Sequence, residues 1–153
     1  MSSAANSDTT EPLIVREATT ADGAILSDLI AEFNGPQGDA DETAARLAAC
    51  AWLEVALLAC VPTEAVGFAC VRMTPAIGTR NRHNLLTELY VRESWRGRGV
   101  GHALLQQAEA LTVERGGQGL YTFTGQQNLT AQAFYERHDY ERVGPTYRKP
   151  LAE

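Results

Sequence analysis

The sequence predicts an α/β fold, and three observations predict it. An apolar stripe at helical spacing (Ile25, Leu26, Leu29, Ile30, Phe33) lies near the start. Three strand-like runs then succeed one another between Leu53 and Val91. The last of them enters a glycine-rich turn that opens a second helical stripe, at Val100, Leu104, Ala108 and Leu111. A chain of 153 residues, 44% apolar and 21% charged, has the size and composition of one packed globular domain. That excludes a disordered chain, a collagen-like repeat and a disulfide-dense scaffold, and no apolar run approaches the roughly 20 residues of a bilayer span.

The elements follow in order. Residues 1–12 read as a flexible tail and residues 13–153 as a single domain; the opening lacks the basic start and apolar stretch of a signal peptide. Leu13 to Glu17 is a short strand. Thr19 to Asp22 has capping-box spacing ahead of the first stripe, which Asn34-Gly35-Pro36 stops. A second, Ala-rich helix is expected from about Asp41 through Leu47 to Ala51. Leu53, Val55, Leu57 and Ala59 alternate along one strand; Val66, Phe68, Cys70, Val71 and Met73 mark the next, with a hairpin at Thr63-Glu64. Pro75 to Asn84 is a polar loop and Leu85 to Val91 a third long strand. The helix after the glycines ends at Gly116-Gly117, Gly119 to Thr124 is a strand with Tyr121 and Phe123 as core positions, and a further helix and strand close the chain.

Charge is distributed unevenly. The net value of −6 argues against general nucleic-acid binding. Residues 1–71 hold two arginines and eleven acids, whereas residues 72–102 hold six arginines and two acids. A positive centre in an acidic protein suggests a local anion site with surroundings suited to a cationic second partner; charges scattered over solvated faces are the alternative. Cys50, Cys60 and Cys70 match no zinc or redox spacing, and their small apolar neighbours make them buried free thiols. Their odd number suits a reducing compartment, so a cytoplasmic location is expected. His83, His102 and His138 suggest no metal site.

The segment Arg92-Glu-Ser-Trp-Arg-Gly-Arg-Gly-Val-Gly101 carries the most chemistry. Alternating glycines let a backbone pass close to a ligand, and a helix N-terminus with free N–H groups suits a phosphate. Arg96 and Arg98 add charge. Gly97-Arg-Gly-Val-Gly101 departs from the dinucleotide pattern G-x-G-x-x-G and leaves only about 50 residues after it, too few for a doubly wound domain. No G-K-[ST] follows for a triphosphate loop.

The pattern R-x-x-G-x-G at Arg96 to Gly101, after Glu88-Leu-Tyr-Val91, resembles the pyrophosphate loop of the GNAT N-acetyltransferase superfamily. Asn128-Leu-Thr-Ala-Gln-Ala-Phe-Tyr135 is similar to that family's following helix. The resemblance implies a mixed, mostly antiparallel twisted sheet of six or seven strands with about four helices. It implies acetyl-CoA as donor and a primary amine as acceptor, joined in a ternary complex, with a homodimer possible; the residues themselves give no sign of a metal, nucleic acid or membrane. Asp139 stands where the family usually has a glycine that closes the helix in a left-handed conformation, so a strained turn is expected there.

The same resemblance makes Tyr135 the acid that protonates the departing thiolate, the alternative being an aromatic packing residue beside Phe134. Glu88 becomes the base acting through water, the alternative being an ordinary strand carboxylate. Cofactor contacts are implied for Leu89, Tyr90 and Val91 along a free strand edge, for Arg96, Gly97, Arg98, Gly99, Val100 and Gly101 in the loop, and for Asn128. Helix capping explains Asn128 equally well. Glu32, Asp39, Asp41 and Glu42 favour a cationic acceptor such as a polyamine, an aminoglycoside or a peptide amine. A non-catalytic acetyl-CoA-binding module, a longer acyl donor and an O-acceptor remain as alternatives.

Overall fold

A computed structural model describes residues 12–151. The tail expected over residues 1–12 lies, Pro12 apart, outside them. The chain divides into two compact units, one ending at Thr122 and the other beginning at Phe123. No helix of the described residues is long and apolar enough to cross a membrane.

The first unit is an α/β sandwich. Its elements are β1 (Ile14–Glu17), a 3-10 turn (Thr20–Asp22), α1 (Gly23–Asn34), α2 (Ala40–Cys50), β2 (Glu54–Val61), β3 (Glu64–Thr74), β4 (His83–Val91), α3 (Val100–Glu114) and β5 (Tyr121–Thr122). The strands lie in the order β1-β2-β3-β4-β5, antiparallel from β1 to β4, with β5 parallel to β4 after the α3 crossover. Pro62 and Thr63 form the two-residue hairpin connection, one position earlier than expected.

Both faces of the central strands are covered. Leu26 and Leu29 of α1 pack with Ala56, Leu58, Phe68 and Cys70 on one face. On the other, α3 buries Val100, Leu104, Leu105, Ala108 and Leu111, and a Cβ at Gly67 of β3 would stand 3.3 Å from Leu104 Cδ1. The β2 and β3 runs are therefore buried almost continuously, as expected where helices cover both sides of a sheet.

Local chemistry sets the helix ends. Asp22 accepts the Thr19 N–H at 2.8 Å and both Nη atoms of Arg16, at 2.8 and 2.7 Å. This joins β1 to the start of α1. At the other end Gly35 takes φ +77° and donates its N–H to the Ala31 carbonyl. Asp39 caps α2 by accepting the Glu42 N–H at 2.9 Å, while the Glu42 carboxylate accepts the Asp39 N–H at 3.0 Å. The reciprocal box starts α2 one residue before Asp41.

β4 begins at His83, inside the segment expected to be loop. The buried Asn84 explains this: its Nδ2 donates to the Gly119 carbonyl at 2.9 Å and to the Arg82 carbonyl, pinning the strand to the segment entering β5. Further along, Cys70 pairs with Glu88 but Val71 with Leu86, which leaves Thr87 as an extra residue, a β-bulge. Thr87 Oγ1 donates to Glu54 Oε1 at 2.6 Å, and Glu54 is ion-paired with Arg72 at 3.0 Å.

Among the described residues the sheet has five strands, fewer than the six or seven expected. Among those residues no strand follows α4 (Leu129–Arg137), the helix of the second unit. There Gly144 takes φ +92°, and Pro145 and Pro150 lack the N–H a ladder needs. β5 is also shorter than predicted, and Tyr121 and Phe123 are 52% and 66% exposed rather than core residues. A two-residue strand is too short to present a covered face.

In the second unit Asn128 caps α4 by accepting the Ala131 N–H at 3.1 Å. Asp139 ends it at φ +62°, the one non-glycine residue of positive φ among those described. Its N–H donates to the Glu136 carbonyl and the Tyr140 N–H to the Tyr135 carbonyl, the paired bonds of a Schellman closure. The Tyr135 and Tyr140 rings, 5.5 Å apart, supply the accompanying apolar contact.

Candidate active site

The bulge at Thr87 determines which way the end of β4 faces. Without it, strict alternation would put Leu86, Glu88 and Tyr90 on one face. With the extra residue, Leu86 enters the core while Glu88 and Tyr90 lie opposite Cys70 and Phe68, on the α1 side. Glu88 accepts from Asn34 Nδ2 at 3.1 Å. The Cys70 thiol lies against the same carboxylate; burial first, then the Glu88 charge and hydrogen bond, push that thiol well above its usual range. Tyr90 packs against Phe33 and Phe68, with ring centroids at 5.3 and 6.2 Å.

Glu88 opens into a cleft of about 570 Å³ whose other lining residues are Ile30, Asn34, Gln37 and Arg46. A neighbouring recess holds an ion-pair cluster. Arg92 reaches Glu32 at 2.8 Å and Glu64 at 2.6 Å, and Tyr90 Oη donates to Glu32 at 3.2 Å. The Arg92 guanidinium, chiefly, holds the Glu32 carboxyl below its ordinary range. Burial, and then the Glu32 carboxylate, raise the Tyr90 phenol.

Beyond the cleft, β4 has an available edge. Its ladder to β5 covers Leu85 and Leu86 alone, so Leu89, Tyr90 and Val91 are paired within the sheet only towards β3. The chain then passes through a 3-10 turn (Glu93–Trp95) into the glycines. Gly97 and Gly99 sit at φ +72° and +82°, and nothing lies within 4 Å of where their Cβ atoms would be. The N–H groups of Gly97, Arg98, Gly99, Val100 and Gly101 have no hydrogen-bond acceptor among the described residues. Ala103 makes the first return bond of α3, to Gly99 O, and no acid lies in that helix's first turn. Open donors at the positive end of a 15-residue helix form a cradle suited to an anion.

The loop's side chains are arranged around this backbone. Arg96 Nε donates to the Val91 carbonyl at 3.0 Å, with the guanidinium 5.9 Å from the Tyr90 ring centre. Arg98 stacks on Trp95 at 4.8 Å. Val100 points into the core, so only its backbone is available to a ligand. In the second unit Tyr135 is half-buried beside Phe134, at a ring distance of 5.3 Å, and the Asn128 carbonyl oxygen is engaged as the α4 cap.

The structure brings Glu88, the β4 edge and the glycine turn into one continuous stretch. It also supplies residues that sequence reasoning did not assign to the site: Asn34, Gln37, Arg46 and Cys70. Asn34 carried only the signal of a helix stop, and Cys70 that of a small core residue. Cys50 is exposed and Cys60 half-buried, so of the three expected buried thiols only Cys70 is one. Of the four acids credited with attracting a cation, three have other employment: Glu32 binds Arg92, and Asp39 and Glu42 cap α2, while Asp41 is exposed in the first turn of that helix.

A strand edge leading into an anion cradle, beside a cleft that holds a carboxylate, suits a transferase whose donor carries phosphate groups. Comparison with known proteins places the chain within that class. The family model described as the acetyltransferase (GNAT) family matches residues 24–140, and the chain belongs to that family. A candidate acetyltransferase of known structure from Arthrobacter sp. FB24 is 32% identical over 92% of each chain, with a TM-score of 0.72. An uncharacterized N-acetyltransferase from Archaeoglobus fulgidus is 32% identical over 87 residues, a match spanning 56% of this chain and 59% of that relative's length. An aminoglycoside N-acetyltransferase solved in complex with CoA shares the fold, at 18% identity and a TM-score of 0.78 over 91% of this chain and 95% of that one.

Proposed function

We propose that the chain transfers an acetyl group from acetyl-CoA to a primary amine by direct attack in a ternary complex. The observation that carries this reading is the run of unpartnered N–H groups from Gly97 to Gly101 at the N-terminus of α3, contiguous with the open edge of β4. The backbone of the glycine turn would hold the pyrophosphate, and Leu89, Tyr90 and Val91 would pair with the pantetheine arm as an added strand. When bound, acetyl-CoA supplies an activated thioester.

The chain's own groups meet the remaining needs. An amine arrives protonated at neutral pH and must lose a proton before attack; Glu88, held by Asn34, accepts it through water and passes it to solvent. The amine nitrogen then bonds to the acetyl carbon. A main-chain N–H of the Leu89–Val91 stretch polarises the carbonyl oxygen as charge develops there. As the carbon–sulfur bond breaks, the nitrogen releases its second proton to water, and Tyr135 gives its phenolic proton to the sulfur and is reprotonated from water. The balance is one ammonium and one thioester consumed, and one amide, one thiol and one proton released. Asn128 contributes to the donor through its side-chain nitrogen. A cationic amine, whether polyamine, aminoglycoside or peptide amine, is the acceptor class, its charge drawn to the Glu88 carboxylate in the cleft.

Calorimetry with acetyl-CoA, on the wild type and on Gly99→Glu, tests the donor site. The variant sets a carboxylate at the cradle and a side chain at φ +82°. Wild-type binding that is lost in a folded variant is the expected outcome; equal binding by both, or none by the wild type, refutes the assignment.

A further inference from the structure

The cleft beside Glu88 contains a cation as well as an anion. Arg46, on α2, lines it together with Ile30, Asn34, Gln37 and Glu88. Among the described residues the Arg46 guanidinium makes one side-chain hydrogen bond, from Nη2 to Thr43 Oγ1 at 3.1 Å, and no ion pair within 4.0 Å. This is notable in a half of the chain where acids outnumber arginines eleven to two. Of the nearby acids, Glu32 is held by Arg92, and Asp39 and Glu42 bond backbone N–H groups at the start of α2, Glu42 lying beside Arg46 but without an ion pair to it within 4.0 Å. Gly38, at φ +123°, leaves room for the group. A Cβ there would stand 3.1 Å from Arg46 Nη1 and 2.5 Å from the Glu42 carboxylate.

The lining therefore has two poles. A protonated amine is attracted to Glu88, and a fixed guanidinium in the same cleft repels a second cation and welcomes an anion. A polyamine or an aminoglycoside would bring like charge towards Arg46 in a confined space. An acceptor bearing both an amine and an anion would match both poles at once, and the half-buried Ile30 between polar neighbours can take a short apolar portion.

We infer that the acceptor is an amine that also carries a carboxylate or a phosphate, with Glu88 receiving the amine end and Arg46 the anionic end. The inference rests on the acetyltransferase reading above and narrows its acceptor class from cationic amines to amines with an attached anion.

Thiol release from acetyl-CoA, measured with amine pairs that differ only in the anion, tests it. Leucine against isoamylamine forms the carboxylate arm, and phosphoethanolamine against ethanolamine the phosphate arm. For the wild type, the anion-bearing member of at least one pair should have the higher kcat/KM, by roughly 10- to 100-fold and mainly through KM, the range of a charge-assisted hydrogen bond. Which arm shows the preference identifies the anion. Arg46→Gln should bring that ratio close to one, and Arg46→Lys, which keeps charge but loses the planar fork, should retain part of it. Equal or better turnover of the anion-free amines by the wild type, or an unchanged ratio in Arg46→Gln, overturns the inference and leaves the acetyltransferase reading standing. No thiol release with any of the four amines, from protein that binds acetyl-CoA, also overturns the inference, while the retained acetyl-CoA binding leaves the donor site standing.

Discussion

Replacing Asp22 by Asn should weaken the fold at the point where α1 is anchored, and the loss should depend on pH. Asp22 is 6% exposed, and its carboxylate accepts both Nη atoms of Arg16 and the Thr19 N–H. Asn keeps the shape and one acceptor, but turns an N–H₂ towards the guanidinium, donor against donor. One charge-assisted hydrogen bond is lost and the second loses its anionic acceptor, a combined loss drawn from about 1.5–3 kcal/mol for each. Because the Arg16 side chain is 44% exposed, solvent screening reduces that sum to a net effect of about 2 kcal/mol. Urea unfolding at pH 7 should show a midpoint lower by roughly 1 M, given the slopes usual for small domains. The hydrogen bonds from Arg16 hold the Asp22 carboxyl far below the ordinary carboxylate range. A group with a depressed folded pKa contributes its full stability above its unfolded value and loses it as pH falls. The gap between wild type and Asp22→Asn should therefore be widest near neutrality and shrink below about pH 4. A gap of the same size at pH 3 and pH 7, or a loss under about 0.5 kcal/mol, would refute the assignment of this stability to the Arg16–Asp22 pair.

Two further outcomes concern the site. Tyr135→Phe removes the proposed thiolate acid, so kcat should fall by roughly 10²- to 10⁴-fold in steady-state thiol release, while calorimetry still registers acetyl-CoA; unchanged turnover would remove Tyr135 from the mechanism. Gly67→Ala puts a Cβ 2.6 Å from the Tyr90 carbonyl oxygen. Chemical denaturation should find it destabilised by about 1–3 kcal/mol, and acetyl-CoA affinity should fall as the edge of β4 is displaced; a silent substitution would mean that β3 and β4 tolerate separation there.

The parts of this fold that could be read from the sequence are those specified by local spacing. The stripe at Ile25 to Phe33, the stop at Asn34-Gly35-Pro36 and the core side of α3 depend on residues within one or two turns of each other, and all are found. The left-handed Asp139 was visible only through the resemblance, because it stands at the position of that family's helix-closing glycine. What escaped depends on distant pairing. The strands of the central hairpin looked half-buried by alternation, yet helices that arrive earlier and later in the chain cover both of their faces. Cys50 and Cys70 have similar apolar neighbours in sequence, but one lies at the exposed end of α2 and the other beneath Glu88. The acids at Glu32, Asp39 and Glu42 could be counted but not assigned, because a count does not say which carboxylates are already bound to an arginine or to a helix N-terminus.

The extra residue at Thr87 makes β4 a strand with a phase slip partway along. Upstream of it the strand keeps time with the core under α3; downstream it keeps time with the cleft. A single peptide thus answers to two masters without either side chain set being mispaired, and the slip is clamped from outside by Glu54, a residue of a strand that does not touch β4 in the sheet. Packing upstream and chemistry downstream can therefore vary independently: changes that suit the Leu86 side are not transmitted as a half-turn to Glu88, whose facing is decided at one position rather than by the whole strand.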